Sequence, residues 1–198
     1  MKRRSLIVPP SQWMPDISPV SPPALPVVAE RGGTQLRTPL PVLVVDTREQ
    51  DPLDFEPYQH WFSGIRRKAL EVGDYSIEGM ERNCAVERKS LSDLVRSFTE
   101  DRQRFVARLK EMATFSTRLL VVVASAGKVL TPYEFSPARP NQIMQSLEAV
   151  MVGLRIPVLF AETHEIASRM TAWHLYVAHL YEWLEQNGYE RVLADNDL

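Results

Sequence analysis

Residues 84–90 read Cys-Ala-Val-Glu-Arg-Lys-Ser, a short apolar run that passes directly into three charged residues. Such a run is typical of a buried strand, and alternate residues of a strand point to the same face of its sheet. Glu87 and Lys89 should therefore project together, while Arg88 faces away. Charges that adjoin a buried strand have to be paired or bound to a metal ion, so we expect this strand to carry chemistry at its end.

Two more acidic residues stand where neighbouring strands should end or begin. Asp46 follows the apolar run 42–45, and Asp74 lies in Gly-Asp-Tyr at the entrance to another strand. Carboxylate oxygens are ligands that suit Mg²⁺, which also takes substrate phosphate as a ligand. Carboxylates beside a lysine therefore suit phosphodiester hydrolysis. Taken singly, such residues are more often solvated turn residues, and periodicity alone does not establish that Asp46, Asp74 and Glu87 converge.

The remaining pattern predicts an α/β domain with a mixed central sheet flanked by helices. Strands come first along the chain, and helices and strands then alternate. Further strands are predicted over 66–72, 75–77, 119–124 and 157–160, and helices over 55–62, 91–98, 141–154 and 165–184, with another around Phe105, Leu109 and Met112.

The ends of the chain differ from this central domain. Nine of the fifteen prolines lie in residues 1–41, a composition that predicts an extended or disordered arm. We expect the domain over 42–186 and a short tail over 187–198. A single cysteine favours a reducing compartment, and neither a membrane span nor a secretory signal is recognisable. The expected location is cytoplasmic, or nuclear in a eukaryote.

Positive charge is concentrated around the acidic motif. The net charge of −2 excludes a protein that coats nucleic acid by bulk attraction, but residues 60–118 hold twelve basic and nine acidic residues. Basic side chains there can contact phosphates and set the register on DNA without reading bases. A solvated amphipathic helix with pairs such as Glu100 and Arg104 is the alternative for residues 102–110. The candidate DNA contacts are Arg66, Arg67, Lys68, Arg102, Arg104, Arg108 and Lys110.

The motifs resemble a known nuclease family. Val-Asp-Thr-Arg-Glu at 45–49, Gly-Asp at 73–74 and Glu-Arg-Lys at 87–89, followed after three residues by Asp93, are similar to the VDxRE, GD and ERK…D elements of XPF/Hef-type (ERCC4-domain) nucleases. The resemblance covers about 42–184. It implies the restriction-endonuclease-like core of the PD-(D/E)xK nucleases, with Asp46, Asp74 and Glu87 as metal ligands, Lys89 in catalysis, and Arg48, Glu49, Arg88 and Asp93 supporting the site.

The activity that this resemblance implies is a DNA endonuclease that uses Mg²⁺ or Mn²⁺, acting on branched or flap DNA in repair or recombination. Two alternatives stay open. One is a Holliday-junction resolvase or another nuclease on the same core, and the other is a non-catalytic DNA-binding or scaffold subunit of a heterodimer. Many relatives carry a helicase or helix-hairpin-helix modules, and neither is expected here, which leaves branch specificity open.

The last predicted helix carries two apolar stripes. Ile166, Met170, Trp173, Val177, Leu180 and Leu184 form the stripe expected to face the sheet. A second stripe suggests a second partner, and we expect a homodimer through the 165–184 helix, because a two-fold interface sets one patch against its own copy. The alternative is that this stripe covers the edge of the same core. The predicted interface residues are Ala172, Tyr176, His179 and Trp183.

Overall fold

The computed structural model describes residues 27–29 and 35–188, with side chains from residue 38 onward. The strands are β1 (Val27–Ala29), β2 (Gln35–Arg37), β3 (Val42–Val45), β4 (Gly64–Arg67), β5 (Tyr75–Ile77), β6 (Cys84–Ser90), β7 (Thr117–Val123) and β8 (Val158–Phe160). The α-helices are α1 (Leu91–Phe98), α2 (Arg102–Met112), α3 (Ala126–Val129), α4 (Pro140–Glu148) and α5 (His164–Gln186). A 3-10 helix spans Glu56–Trp61, and a π-helical turn over Ala149–Gly153 continues α4.

Six strands form one mixed sheet in the order β4-β3-β5-β6-β7-β8. The pairs β3–β4, β6–β7 and β7–β8 are parallel, whereas β5 is antiparallel to both of its neighbours. The predicted α/β class and mixed central sheet are therefore confirmed. Because parallel strands covered on both faces need apolar side chains on both, β3 and β6 begin as the continuous apolar runs seen in the sequence.

Helices cover both faces of this sheet. On one face α5 and the 3-10 helix enclose a core that includes Trp61, Tyr75 and Tyr176. On the other face α1, α2, α3 and α4 enclose a core that includes Phe98 and Leu147. Ser90 caps the start of α1, since its hydroxyl accepts a hydrogen bond from the backbone N–H of Asp93.

The strand predicted over 66–72 is wrong in its bounds, since β4 begins at Gly64 and ends at Arg67. Its partner β3 ends at Val45, opposite Arg67, so the residues that follow have no strand to pair with in this direction. The chain returns to the sheet at Gly73, which has φ of +81° and lies so close to β6 that a Cβ there would be 3.0 Å from the Ala85 Cβ.

Part of the predicted arm is ordered. β1 and β2 pair as an antiparallel ribbon, Thr38 and Pro41 are buried, and the carbonyl of Pro39 lies 2.9 Å from Nε2 of His179. The rest of the predicted arm, residues 1–26 and 30–34, and residues 189–198 of the predicted tail lie outside the described residues. The domain boundaries therefore stay predictions. Among the described helices, none is long and apolar enough to cross a membrane.

The face of α5 that packs on the sheet is not the predicted one. Ile166, Met170 and Trp173 are 37–42% exposed, whereas Ala172 and Tyr176 of the predicted interface are buried in the core. Small side chains let the helix approach the sheet closely, so much of the contact face is built from residues with weak apolar signals: Ala167, Ser168, Thr171 and Ala172, beside the larger Leu175. Only Leu180 and Leu184 of the predicted core stripe are buried.

Candidate active site

The register of the three central strands aligns the predicted metal ligands. Val45 pairs with Tyr75 and Tyr75 pairs with Val86, so the next residues along, Asp46, Asp74 and Glu87, are neighbours in a single row. Backbone hydrogen bonds join this row, because the Asp46 N–H donates to the Asp74 carbonyl and the Asp74 N–H to the Val86 carbonyl, each at 2.8 Å. We call Asp46, Asp74 and Glu87 the carboxylate row.

Glu87 ends the row beside two cationic side chains. Nζ of Lys89 donates to Oε1 of Glu87 at 2.6 Å, as expected for residues two apart on a strand. Arg108 of α2 donates to Oε2 at 3.3 Å, and the Lys89 ammonium lies 5.2 Å from the centre of the Phe105 ring. Helix α2 therefore covers this end of the row and holds the lysine beside it.

Asp46, at the other end, is held by Arg48. The backbone N–H of Arg48 donates to Oδ1 of Asp46 at 2.9 Å, and its guanidinium contacts both carboxylate oxygens at 2.5–3.1 Å. The guanidinium also donates to the Leu70 carbonyl. Burial alone would raise the pKa of Asp46, but the hydrogen bonds from Arg48 outweigh it and hold that pKa below its usual value.

Asp74, in the middle, forms no ion pair with any residue that the structure describes. Its Oδ2 accepts a hydrogen bond from the backbone N–H of Arg88 at 2.7 Å. Burial, together with the neighbouring Glu87 carboxylate, raises the pKa of Asp74 to about 7, although the Lys89 charge opposes the shift. The row thus contains a carboxyl group that lacks a counter-charge.

Arg88 points to the opposite face of the sheet, as the strand alternation predicts. It pairs with Glu49 at 3.0 Å, both side chains being only 8% exposed, and with Asp51 at 3.4 Å. The Tyr75 hydroxyl accepts a hydrogen bond from the Leu53 N–H in the same loop. These contacts fasten the segment after β3, which carries Asp46 and Arg48, to the strands that carry the rest of the row.

Asp93 lies at the start of α1 and not in the row. Its Oδ2 accepts a hydrogen bond from the Ser90 hydroxyl at 2.8 Å, and its Oδ1 pairs with Arg96 at 3.0 Å. The Ser90 hydroxyl also accepts from the Asp93 N–H, and the two reciprocal hydrogen bonds between Ser90 and Asp93 resemble a capping box. Asp93 therefore fixes the point at which β6 turns into α1.

The predicted DNA contacts separate into different environments. On β4 and after it, Arg66 pairs with Glu78 and Lys68 with Glu81, whereas Arg67 is exposed. On α2, Arg102 donates to the Ser146 hydroxyl, and Arg108 contacts the carboxylate row itself. No local pattern indicates that last contact or the contact between Phe105 and Lys89, since both depend on how α2 packs on β6.

As the side chains stand, no group of three or more His, Cys, Asp or Glu within the described ranges is arranged to hold a metal ion. The outer carboxylates are instead occupied by Arg48, Lys89 and Arg108. The donor set nevertheless fits Mg²⁺ or Mn²⁺ in its chemistry, because three adjacent carboxylates supply the oxygen ligands that these ions take. The uncompensated Asp74 is the observation that favours a cation at this place.

The pH dependence of stability should report on Asp74 in the metal-free protein. Its folded-state pKa of about 7 lies above the unfolded value of 3.8. Between these two pH values the folded state therefore binds more protons than the unfolded state. The contribution of Asp74 to the free energy of unfolding should fall as pH rises from about 4 to 7. Asp74→Asn should flatten that part of the profile, measured by urea unfolding at several pH values with EDTA present. An unchanged slope in the variant would contradict the assignment.

The mixed sheet has the architecture expected of the restriction-endonuclease-like core, and its central strands carry the carboxylate row with Lys89 beside it. The sequence matches the ERCC4 domain over residues 45–172, and the chain belongs to this family of XPF-type DNA nucleases. No curated protein sequence matches it.

Solved structures share the fold. XPF from Aeropyrum pernix is 18% identical, with a TM-score of 0.55, over 70% of this chain and 61% of that one. XPF from Aeropyrum pernix in complex with DNA is also 18% identical, with a TM-score of 0.51, over 79% of this chain and 86% of that one. The chain thus spans about three fifths of the first of these proteins, and at such identity the likeness concerns the fold alone.

Proposed function

We propose that the protein is a divalent-metal-dependent DNA endonuclease that hydrolyses backbone phosphodiesters at branched or flap DNA, in repair or recombination. The observation that carries this proposal is the carboxylate row with Lys89 beside it, on strands that belong to an ERCC4 domain. The relative solved in complex with DNA supports DNA as the ligand.

Asp46, Asp74 and Glu87 would hold Mg²⁺ or Mn²⁺. When bound, such an ion stabilises negative charge on a phosphate and makes a bound water more acidic. The three carboxylates suit this task because they are adjacent and largely buried, so that they bind an ion with few competing waters. Arg88 and Glu49, on the far side of the sheet, keep the Asp46 segment in place.

Lys89 is the residue of this chain that we place nearest to the reacting phosphate. Its ammonium is held by Glu87 and by the Phe105 ring, so it is positioned before substrate arrives. A compact cation at this place donates to the attacking water or to the phosphate oxygens as negative charge develops. Preorganisation of this kind costs no rearrangement during the reaction.

A cleavage assay on labelled flap, fork, four-way and plain duplex DNA, with Mg²⁺ or Mn²⁺, tests the proposal. Cleavage of flaps or forks is the expected result. Preferential cutting of four-way junctions would favour a resolvase, and cutting of plain duplex would favour a general nuclease. Binding without cleavage in either ion would favour the scaffold alternative.

DNA binding should depend on one flank of α2. Arg104 is exposed, pairs only loosely with Asp101 at 3.4 Å, and lies one turn from Arg108, which contacts the row. Lys110, also a candidate from the sequence, is exposed too but lies about 200° around the helix from Arg108, at 3.6 residues per turn, so we do not include it in the proposed contact flank. Arg104→Ala should weaken DNA binding roughly three- to tenfold and reduce the salt slope by about one.

Lys110→Ala is the matched control, because it removes the same charge from the same helix. Fluorescence anisotropy at several salt concentrations measures both variants. Equal losses for Arg104→Ala and Lys110→Ala would mean that DNA responds to overall charge and not to this flank.

We also propose that two copies associate through α5. Ala172 and Tyr176 are corrected as interface residues because the core buries them, and His179 is held by Pro39. The exposed side chains Ile166, Met170 and Trp173 support the outer face of the helix as the contact surface instead. Light scattering on the wild type and on Met170→Glu with Trp173→Glu is the check, and a wild-type mass near 23 kDa would contradict a dimer.

A further inference from the structure

Arg48 occupies the place at which an ion would meet Asp46. Its guanidinium contacts both oxygens of that carboxylate, and the Arg48 backbone N–H takes a further position on Oδ1. The carboxylate therefore has no free face towards a new ligand while the guanidinium stays there. An ion that uses Asp46 has to compete with Arg48.

The two partners of this pair differ strongly in exposure. The Arg48 side chain is 62% exposed and that of Asp46 only 2%. The carboxylate is thus fixed in the sheet, whereas the guanidinium reaches it from solvent and can leave without opening a cavity. Its other acceptor, the Leu70 carbonyl, lies in the loop before β5 and not in the row.

The other cations at the row contact Glu87 and not Asp46. Lys89 is less free to leave, because it is mostly buried between Glu87 and Phe105. Arg108 is partly exposed and makes a single contact to Glu87 at 3.3 Å, so it does not cover Asp46. The charges of Asp74 and Glu87 also act on Arg48. Arg48 therefore neutralises the row from its solvent side, in the position that an incoming divalent cation would use.

We infer that Arg48 is an exchangeable cation of the carboxylate row: it holds Asp46 while no divalent ion is bound, leaves when Mg²⁺ or Mn²⁺ binds, and then contacts a phosphate of the DNA. This inference rests on the proposed function and adds to it a positioning residue. A planar guanidinium with several donors suits both partners, since it binds carboxylate and phosphate in the same bidentate manner.

The first test is calorimetric titration with Mn²⁺, without DNA. Arg48→Gln should bind Mn²⁺ about three- to tenfold more tightly than the wild type, because a competing ion pair of ordinary strength has been removed. Arg48→Lys keeps the charge but loses the bidentate guanidinium, so its Mn²⁺ affinity should lie between those of the wild type and Arg48→Gln. Affinity equal to or weaker than that of the wild type in Arg48→Gln would overturn the inference.

Arg82→Gln is the matched control. Arg82 forms an arginine–carboxylate pair with Glu71 on the surface at 3.0 Å and is not among the predicted DNA contacts, so its loss should leave Mn²⁺ affinity unchanged. Thermal unfolding with EDTA shows whether each variant is folded before titration. If Arg82→Gln and Arg48→Gln both bind Mn²⁺ equally more tightly, the effect is one of overall charge and the exchange is overturned.

The second test measures DNA affinity by anisotropy in a Lys89→Ala background, which keeps the DNA intact. Arg48→Gln should weaken DNA binding with Mg²⁺ present and leave it unchanged with EDTA, because Arg48 is released only in the first case. An equal loss under both conditions would overturn the exchange. If the wild type binds Mn²⁺ and cleaves DNA but Arg48→Gln does not bind more tightly, only this inference fails; if the wild type does neither, the proposed function fails with it.

Discussion

Glu87→Gln is expected to lower the DNA cleavage rate by roughly a thousandfold while the protein stays folded. The amide keeps the shape of the side chain but removes the charge that binds a divalent ion and orients Lys89. Both contributions to the stabilisation of the transition state are therefore lost together. Single-turnover cleavage with Mg²⁺ measures the loss. Circular dichroism and urea unfolding report on the fold.

The control for this substitution is Glu111→Gln. Glu111 is exposed on α2, lies outside the carboxylate row, and undergoes the same chemical change. It should cleave at the wild-type rate. A Glu87→Gln protein that cuts as fast as the wild type with a divalent ion present would remove Glu87 from the site.

Arg88→Met is expected to destabilise the fold by about 3–5 kcal/mol. The substitution leaves the Glu49 carboxylate buried beside the sheet without its cation, and an unpaired buried charge is costly. Arg82→Met is the matched control, because Arg82 and Glu71 pair at the same distance of 3.0 Å but on the surface, where such pairs contribute about 0–1 kcal/mol. Urea unfolding at pH 7 measures both.

The double variant Arg88→Met with Glu49→Leu separates charge from packing. Replacing both partners by apolar side chains removes the unpaired carboxylate, so much of the lost stability should return. If Arg88→Met costs no more than Arg82→Met, the pair on the far side of the sheet does not hold the Asp46 segment in the way we describe.

Local patterns predicted the elements whose cause is local. The run 42–45 and the stretch 84–90 are buried on both faces and formed strands with nearly the predicted bounds. The start of the helix predicted over 91–98 was right for the same reason, since the Ser90 hydroxyl and the Asp93 N–H that donates to it lie three residues apart. The order of Asp46, Asp74 and Glu87 along the chain and the places of Asp46 and Asp74 at strand ends were also readable. Glu87 instead lies inside β6, which continues to Ser90.

Features that depend on distant packing were not readable. Strand β4 ends where its partner β3 ends. The sequence of residues 66–72 alone does not indicate this end point, because it depends on the length of β3. The face of α5 was assigned wrongly because Ala167 and Ala172 carry weak apolar signals, although their small size is what brings the helix close to the sheet. The pairing of Arg108 with Glu87 joins residues 21 positions apart, so no local spacing predicts it.

The backbone hydrogen bonds that link Asp46, Asp74 and Val86 set the spacing between the carboxylates of the site. Neighbouring strands lie about 4.8 Å apart, so the backbone separation of the three carboxylates follows from strand pairing and not from the connections between the strands. The connection over 47–73 itself carries Arg48, Glu49, the 3-10 helix and β4, so only exposed turns within it and within 78–83 should tolerate a change in length without altering that separation. Insertions at such exposed turns are therefore expected to change DNA contacts while the spacing of the carboxylates is kept.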